Sequence, residues 1–292
     1  MKNPRIAVLV SSDPSDLYFA NQIVKHANVV GILVEQQSRI SGASTHMKGI
    51  FRYLRSPLTF GRKLYAAETR RYYARKAKEI SRIGFGKEGY ELNRPVNCQT
   101  IFIAKNEALN SPDCVKWIKD LHPDAIVVCG TSLLAEPVLS ITPHTLNLHS
   151  GLSQRYRGTW TTLWPIYNQE PEYVGYTVHF VTPGVDDGDI INQGRPVIAE
   201  DDNHETLYVK VIKLGTMAML KAIDDIRSNS IRRYPLEYKG KLYQRSMLTP
   251  AIIKSTWQKV AAGLIREYVK CPKSIRLIGH LEDTSSNVAS CK

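Results

Sequence analysis

Short uninterrupted apolar runs, each followed by a polar turn and then by apolar residues at helical spacing, organise the first part of the chain. Ile6 to Val10 is such a run, Ser11 to Asp16 is the turn, and Leu17, Ala20, Ile23 and Val24 mark one face of a helix. This pattern predicts a buried parallel strand feeding a helix, and Val29 to Val34 supplies the next strand of a βαβ unit. Regularity returns at Thr100 to Ala104, a short strand, and at Ser111 to Leu121, a helix with Pro112 in its first turn. Asp124 to Cys129 reads as a buried strand ending in Gly130-Thr131-Ser132-Leu133-Leu134. In Thr145 to His149, Leu146 and Leu148 alternate with Asn147 and His149, so the two polar side chains share one face of a strand.

The second half predicts a strand at Gly175 to Val181 and a turn-rich loop at Thr182 to Gly188. Asp189 to Gln193 and Arg195 to Ala199 are expected to continue the sheet. An amphipathic helix over His204 to Ile226 carries Leu207, Val211, Leu214, Ala218 and Ala222 on one stripe. Leu236 to Tyr243 reads as a hairpin turning at Lys239-Gly240, followed by a basic helix from Pro250 to about Val269 and a loosely ordered tail. The expected fold is α/β, a Rossmann-like, mostly parallel sheet with helices on both faces, plus a short C-terminal hairpin and helix. The expected division is a catalytic domain over 1–230, with a basic helical insertion at about 38–95, and a C-terminal segment over 231–292.

Hydrophobic residues make up 43% of the chain and charged residues 23%, the composition of a globular protein rather than a disordered or membrane-spanning one. Five scattered cysteines without C-x-x-C spacing indicate neither a disulfide framework nor a zinc site. Metal binding is not expected, and a reducing cytoplasm is the simplest location. The net charge of +12 is concentrated between Lys48 and Lys87, which contains twelve basic residues against Glu68 and Glu79. That segment reads as a solvated helical insertion, with a phosphate or membrane-surface patch as the alternative. The Ser11 to Asp16 loop lacks the glycines of a dinucleotide fingerprint and the Lys-Ser/Thr of a P-loop. Ser11 and Ser12 could still offer hydroxyl and N–H groups to a substrate phosphate at the helix start.

Asn147 and His149 sit at a strand end, where open α/β sheets bind ligands. An Asn amide and an imidazolium could hold an oxyanion, or both could simply satisfy buried backbone groups. A carboxylate from Asp186, Asp187 or Asp189 beside His149 would raise its pKa and help relay a proton, although Asp and Gly are equally at home in a surface turn.

Taken together, Asn147-Leu-His149, the Arg157-Gly158 turn soon after it, the His179 strand and Asp186-Asp-Gly188-Asp-Ile190 resemble the formyl-transferase family, over about Arg5 to Ala199 with Ser38 to Pro95 outside the match. The resemblance implies 10-formyl-tetrahydrofolate as co-substrate and N-formyl transfer as activity. It implies Asn147, His149 and Asp186 as the catalytic trio, with Gly130, Thr131, Ser132, Leu133, Leu134, Thr182 and Val185 around the pteridine. Ser11, Ser12, Arg157, Gly158 and Trp160 are the expected substrate contacts. Trp160 belongs to an aromatic cluster that either stacks on a base or packs under the loop.

Within that family, the layout is closest to the sugar-amine N-formyltransferases, so a nucleotide-linked amino sugar is the expected acceptor and polysaccharide biosynthesis the expected setting. Methionyl-tRNA, ribosylglycinamide phosphate and hydroxyornithine are alternatives, as is hydrolysis of the formyl-folate. A membrane partner is not expected and nucleic acid is disfavoured; a homodimer is left open.

Overall fold

The computed structural model describes residues 3–36, 57–104 and 109–279. The first part of the expected insertion, 38–56, and the tail from 280 lie outside the described residues.

Seven strands form one sheet: β1 (Ile6–Ser11), β2 (Val29–Gln36), β3 (Gln99–Ala104), β4 (Ala125–Cys129), β5 (Thr145–His149), β7 (Tyr176–Phe180) and β8 (Ile190–Gly194). The order is β3-β2-β1-β4-β5-β7-β8, parallel from β3 to β5 and antiparallel where β7 meets β5 and β8. β1 is buried throughout because the sheet is covered on both faces. Successive side chains point to opposite faces. Ile6, Val8 and Val10 accordingly join one core layer, with Phe19 and Ile23 of α1 (Pro14–His26) and Leu207 and Val211 of α6 (His204–Arg227). Ala7 and Leu9 join the other, with Val115 and Ile118 of α3 (Pro112–Asp120) and Val138 of α4 (Glu136–Leu139).

The chain runs from β1 outward through β2 to β3, then returns to place β4 on the other side of β1. The strand order therefore reverses between β1 and β4. The crevice at the carboxyl ends of these strands is where such sheets bind ligands.

The basic segment contributes α2 (Pro57–Phe85), a helix outside the sheet. Its C-terminal end docks on α6: Phe85 is buried against Val209 and Ile212. Gly84 permits that approach, since a Cβ there would lie 2.6 Å from Val209 Cγ1. Farther along, Tyr73 stacks on Trp257 of α7 (Pro250–Ala261), with ring centroids 5.7 Å apart.

Three expectations about the later elements are corrected. Arg195 to Ala199 does not continue the sheet; Pro196 has no N–H to donate, and the Ala199 N–H is taken by Asp202. The hairpin at Lys239-Gly240 does not form. β9 (Lys241–Tyr243) instead pairs in parallel with β6 (Tyr156–Gly158), and the Gly240 and Lys241 N–H groups donate to Ser153 and Arg155. The helix expected from Pro250 to Val269 is two helices, α7 and α8 (Leu264–Lys270), broken at Gly263, whose φ of +102° lies in the left-handed region. Ile265 of α8 is buried in the main core. Among the described residues no helix is long and apolar enough to cross a membrane.

Candidate active site

At the carboxyl end of β5, Asn147 and His149 both face a cavity of about 1000 Å³. Asp186 reaches the same place from the loop after β7, held at φ +47°, a conformation non-glycine residues adopt at a cost. Its Oδ2 accepts the Gly158 N–H at 2.8 Å and lies 3.3 Å from His149 Nδ1. Its Oδ1 lies 3.4 Å from Asn147 Nδ2. The three predicted catalytic residues are thus in mutual contact around one carboxylate.

His179 completes the cluster. β5 and β7 pair with Asn147 directly opposite His179. The His179 Nδ1–H donates to the Phe180 carbonyl at 2.8 Å, leaving Nε2 to accept from Asn147 Nδ2 at 3.1 Å. One Asn147 N–H is thereby fixed. The other makes only the long contact to Asp186, so it is the one an incoming oxygen can take over.

Burial pushes the Asp186 carboxyl up, but His149, His179 and the Gly158 N–H outweigh it and hold the group down to about 2. His149 moves contrary to expectation. Burial pulls its pKa below the ordinary value, against the upward push of Asp186 and the Tyr156 carbonyl. At neutral pH the ring is therefore largely neutral rather than a standing imidazolium. A carbonyl can only accept, so Nε2, 2.9 Å from Tyr156 O, carries the proton. Nδ1 is left as the basic nitrogen beside an ionised carboxylate, ready to take up a proton and have the resulting charge stabilised.

The predicted pteridine loop forms one wall. Gly130, Thr131, Ser132, Leu133 and Leu134 all line the cavity. The loop is tied down where the Ser132 N–H donates to Glu35 and where the Asn110 side chain donates to Leu133 O and accepts the Ala135 N–H. Leu133 stays 57% exposed, an apolar surface at the rim. Val185 also lines the cavity, whereas Thr182 does not, and its hydroxyl is spent on Asp187.

The predicted substrate contacts separate. Gly158 lines the cavity; its φ is +91°, and a Cβ would meet Tyr243 O at 2.3 Å. Arg157 stands behind, donating to Gly240 O at 2.9 Å and Val185 O at 3.0 Å, so it fixes the Asp186 loop. Trp160 faces a second, smaller cavity. Ser11 and Ser12 do not line the main cavity. The Ser11 hydroxyl donates to Asp16 Oδ2 at 2.6 Å and the Ser12 N–H to Glu35 O at 3.1 Å.

Asp16 is the feature of this wall that sequence reasoning missed. It is only 3% exposed and lines the cavity beneath Gly130, where a Cβ would come within 1.9 Å of Oδ2. Burial lifts its carboxyl to about 6, against the lowering effect of Ser11. A folded-state pKa raised above the unfolded value of 3.8 contributes stability at low pH that is lost as pH rises through about 6. Asp16→Asn is therefore expected to melt higher than the wild type at pH 8, by an amount approaching about 3 kcal/mol of stability, and to lose that advantage at pH 4. Thermal unfolding at the two pH values checks this; a variant no more stable at pH 8 would contradict the buried charge.

Residues 61–223 match the family model described as formyl transferase. The match begins inside α2, so it takes in part of the segment set outside the resemblance, and it ends in α6. The chain is 31% identical over 137 residues to a methionyl-tRNA formyltransferase of Methylacidiphilum infernorum, covering 46% of this chain and 42% of that protein. It thus spans less than half the length of that relative. Among solved structures, the fold is shared with a 4-N formyltransferase from Francisella tularensis (TM-score 0.51, 18% identity, 88% of this chain and 87% of that one). A sugar N-formyltransferase from a Shewanella species is similar to the same extent (TM-score 0.52, 15% identity, the same coverage). With the family model matching more than half of its length and the fold shared, this chain belongs to the formyl transferase family.

Proposed function

We propose that this protein transfers a formyl group from 10-formyl-tetrahydrofolate to a primary amine, and that the amine belongs to a nucleotide-linked amino sugar. The observation that carries the chemistry is the convergence of Asn147, His149 and Asp186 in one cavity. The apolar residues Val128, Leu134, Val181 and Ile212, with the Gly130 to Ser132 backbone between them, fit a flat ring with polar edges. When bound there, the folate supplies an activated formyl group on nitrogen.

The chain's own residues divide the remaining work. The loosely held Asn147 N–H turns to the oxygen of the formyl group as negative charge develops on it. His149 Nδ1 takes the proton that the attacking amine sheds, and Asp186 stabilises the imidazolium so formed. That proton is then available to the departing nitrogen. His179 and Tyr156 O hold Asn147 and His149 in orientation.

Support for the sugar acceptor comes from the solved sugar N-formyltransferase whose length this chain matches almost throughout. The methionyl-tRNA reading is favoured by the curated relative, over the shorter stretch. Amine-dependent release of tetrahydrofolate across a panel of amino-sugar nucleotides, ribosylglycinamide phosphate, hydroxyornithine and methionyl-tRNA tests both. The proposal expects release with an amino-sugar nucleotide; release with methionyl-tRNA alone would overturn the acceptor.

A further inference from the structure

An acceptor carrying phosphate needs cationic or N–H donors for it, and the wall formed by β1 and α1 does not offer them. Asp13 stands at the N-cap position of α1 without a side-chain capping bond, Asp16 lies in its first turn, and both Ser11 and Ser15 hydroxyls donate to the Asp16 carboxylate, at 2.6 and 3.0 Å. Two acidic residues thus stand at the positive end of this helix dipole, and a phosphate placed there would meet like charge.

The donors lie on the other side of Gly158. Gly158 and Thr159 line the main cavity, and the next residue, Trp160, lines a second one of about 330 Å³. Arg245 lines both. In the second cavity Arg245 faces Arg70 of the basic helix α2, and neither guanidinium pairs with a carboxylate among the described residues. Glu205 also lines this cavity, and its single negative charge is outnumbered by the two guanidinium groups. Two aromatic rings complete the walls. Tyr73 is held in place by its stack on Trp257. Trp160 is held 47% exposed by a backbone at φ +61°, a strained conformation for a bulky residue.

We infer that this second cavity, between α2, the Trp160 turn and Arg245, is the subsite for the nucleoside diphosphate end of the acceptor, with Arg70 and Arg245 on the phosphates and Tyr73 and Trp160 flanking the base. The inference rests on the nucleotide-linked acceptor proposed above. It gives the basic helix a function: α2 carries the phosphate-binding charge that the β1–α1 turn lacks. Two cavities meeting at Arg245 let one elongated molecule place its amine at His149 and its nucleotide against α2.

The test uses free nucleoside diphosphates (UDP, dTDP, CDP, GDP and ADP) as probes on the full chain, with an inert folate analogue measured in parallel. One of them is expected to bind saturably in equilibrium dialysis and to raise Tm. Arg70→Ala and Arg245→Ala should each weaken that binding about tenfold, as loss of a charge-assisted hydrogen bond does, and Trp160→Ala about tenfold by loss of stacking. Folate binding should persist in the Arg70→Ala and Trp160→Ala proteins. Should Arg245→Ala fail to fold, the Arg70→Ala and Trp160→Ala proteins decide alone. Binding of no diphosphate, binding that survives these replacements, or binding only of an RNA 3′ end overturns the subsite. If folate binds while no diphosphate does, formyl transfer stands and only the subsite falls; if neither binds, both fall.

Discussion

His149→Ala is expected to lower kcat by about 100- to 1000-fold while leaving folate binding intact, and Asn147→Ala to do the same. In the mechanism proposed above, the two act on opposite atoms of one reaction. Asn147 offers an N–H to the developing oxyanion, and His149 Nδ1 receives the amine's proton. Because both roles are exercised as charge develops in the transition state, the loss should fall on kcat rather than on KM. Because both serve one transition state, the double variant should lose less than the product of the single losses. Steady-state kinetics with saturating amine, alongside folate titration, separates these outcomes. A rise in KM at unchanged kcat would reassign the pair to binding.

Asp186→Asn should lower kcat by a further large factor, about 100-fold or more, for two reasons read from its contacts. Its Oδ2 accepts the Gly158 N–H, so an asparagine would keep its carbonyl there and turn its NH₂ toward Asn147 Nδ2, donor against donor. The charge that stabilises the His149 imidazolium would be gone as well. The pH profile distinguishes this from simple disruption. With His149 as the proposed base, wild-type turnover should fall as pH drops through a pKa below the ordinary histidine value. Removing the Asp186 carboxylate removes its upward push, so that limb should move to still lower pH. Full turnover, or a limb moving upward, would show that the role is wrongly assigned. Asp187, paired with Lys239 at 2.8 Å, and Asp189 would then be the carboxylates to test.

Much of the sheet was legible because its strands are short apolar runs whose period needs no tertiary knowledge. Asn147 and His149 could be placed on one strand face from alternation alone. What escaped depends on contacts between distant segments. His179 was visible as part of a motif, but its role comes from antiparallel register opposite Asn147, which no local pattern encodes. Asp16 looked like a turn residue; its burial is created by Gly130, a residue 114 positions later. The Lys239-Gly240 hairpin had the right turn chemistry, yet the Gly240 backbone is claimed by the loop after His149. The charge state of His149 was misjudged because a neighbouring carboxylate can be inferred from motif spacing, whereas the depth of burial that outweighs it cannot. The helical character of the basic segment from Pro57 on could be read from composition, but not its docking through Gly84 and Phe85 onto α6.

Amine-dependent formyl transfer is the activity proposed for the Asn147, His149 and Asp186 cluster. Its most direct test is to incubate the protein with 10-formyl-tetrahydrofolate, with and without an amino-sugar nucleotide, and to quantify tetrahydrofolate, formylated amine and free formate together. The expected result is tetrahydrofolate and formylated amine in equal amounts, only when the amine is present, and little of either with His149→Ala. Formate released at the same rate without any amine would mean that water is the acceptor and the protein a hydrolase, and product formation undiminished in His149→Ala would place the chemistry elsewhere.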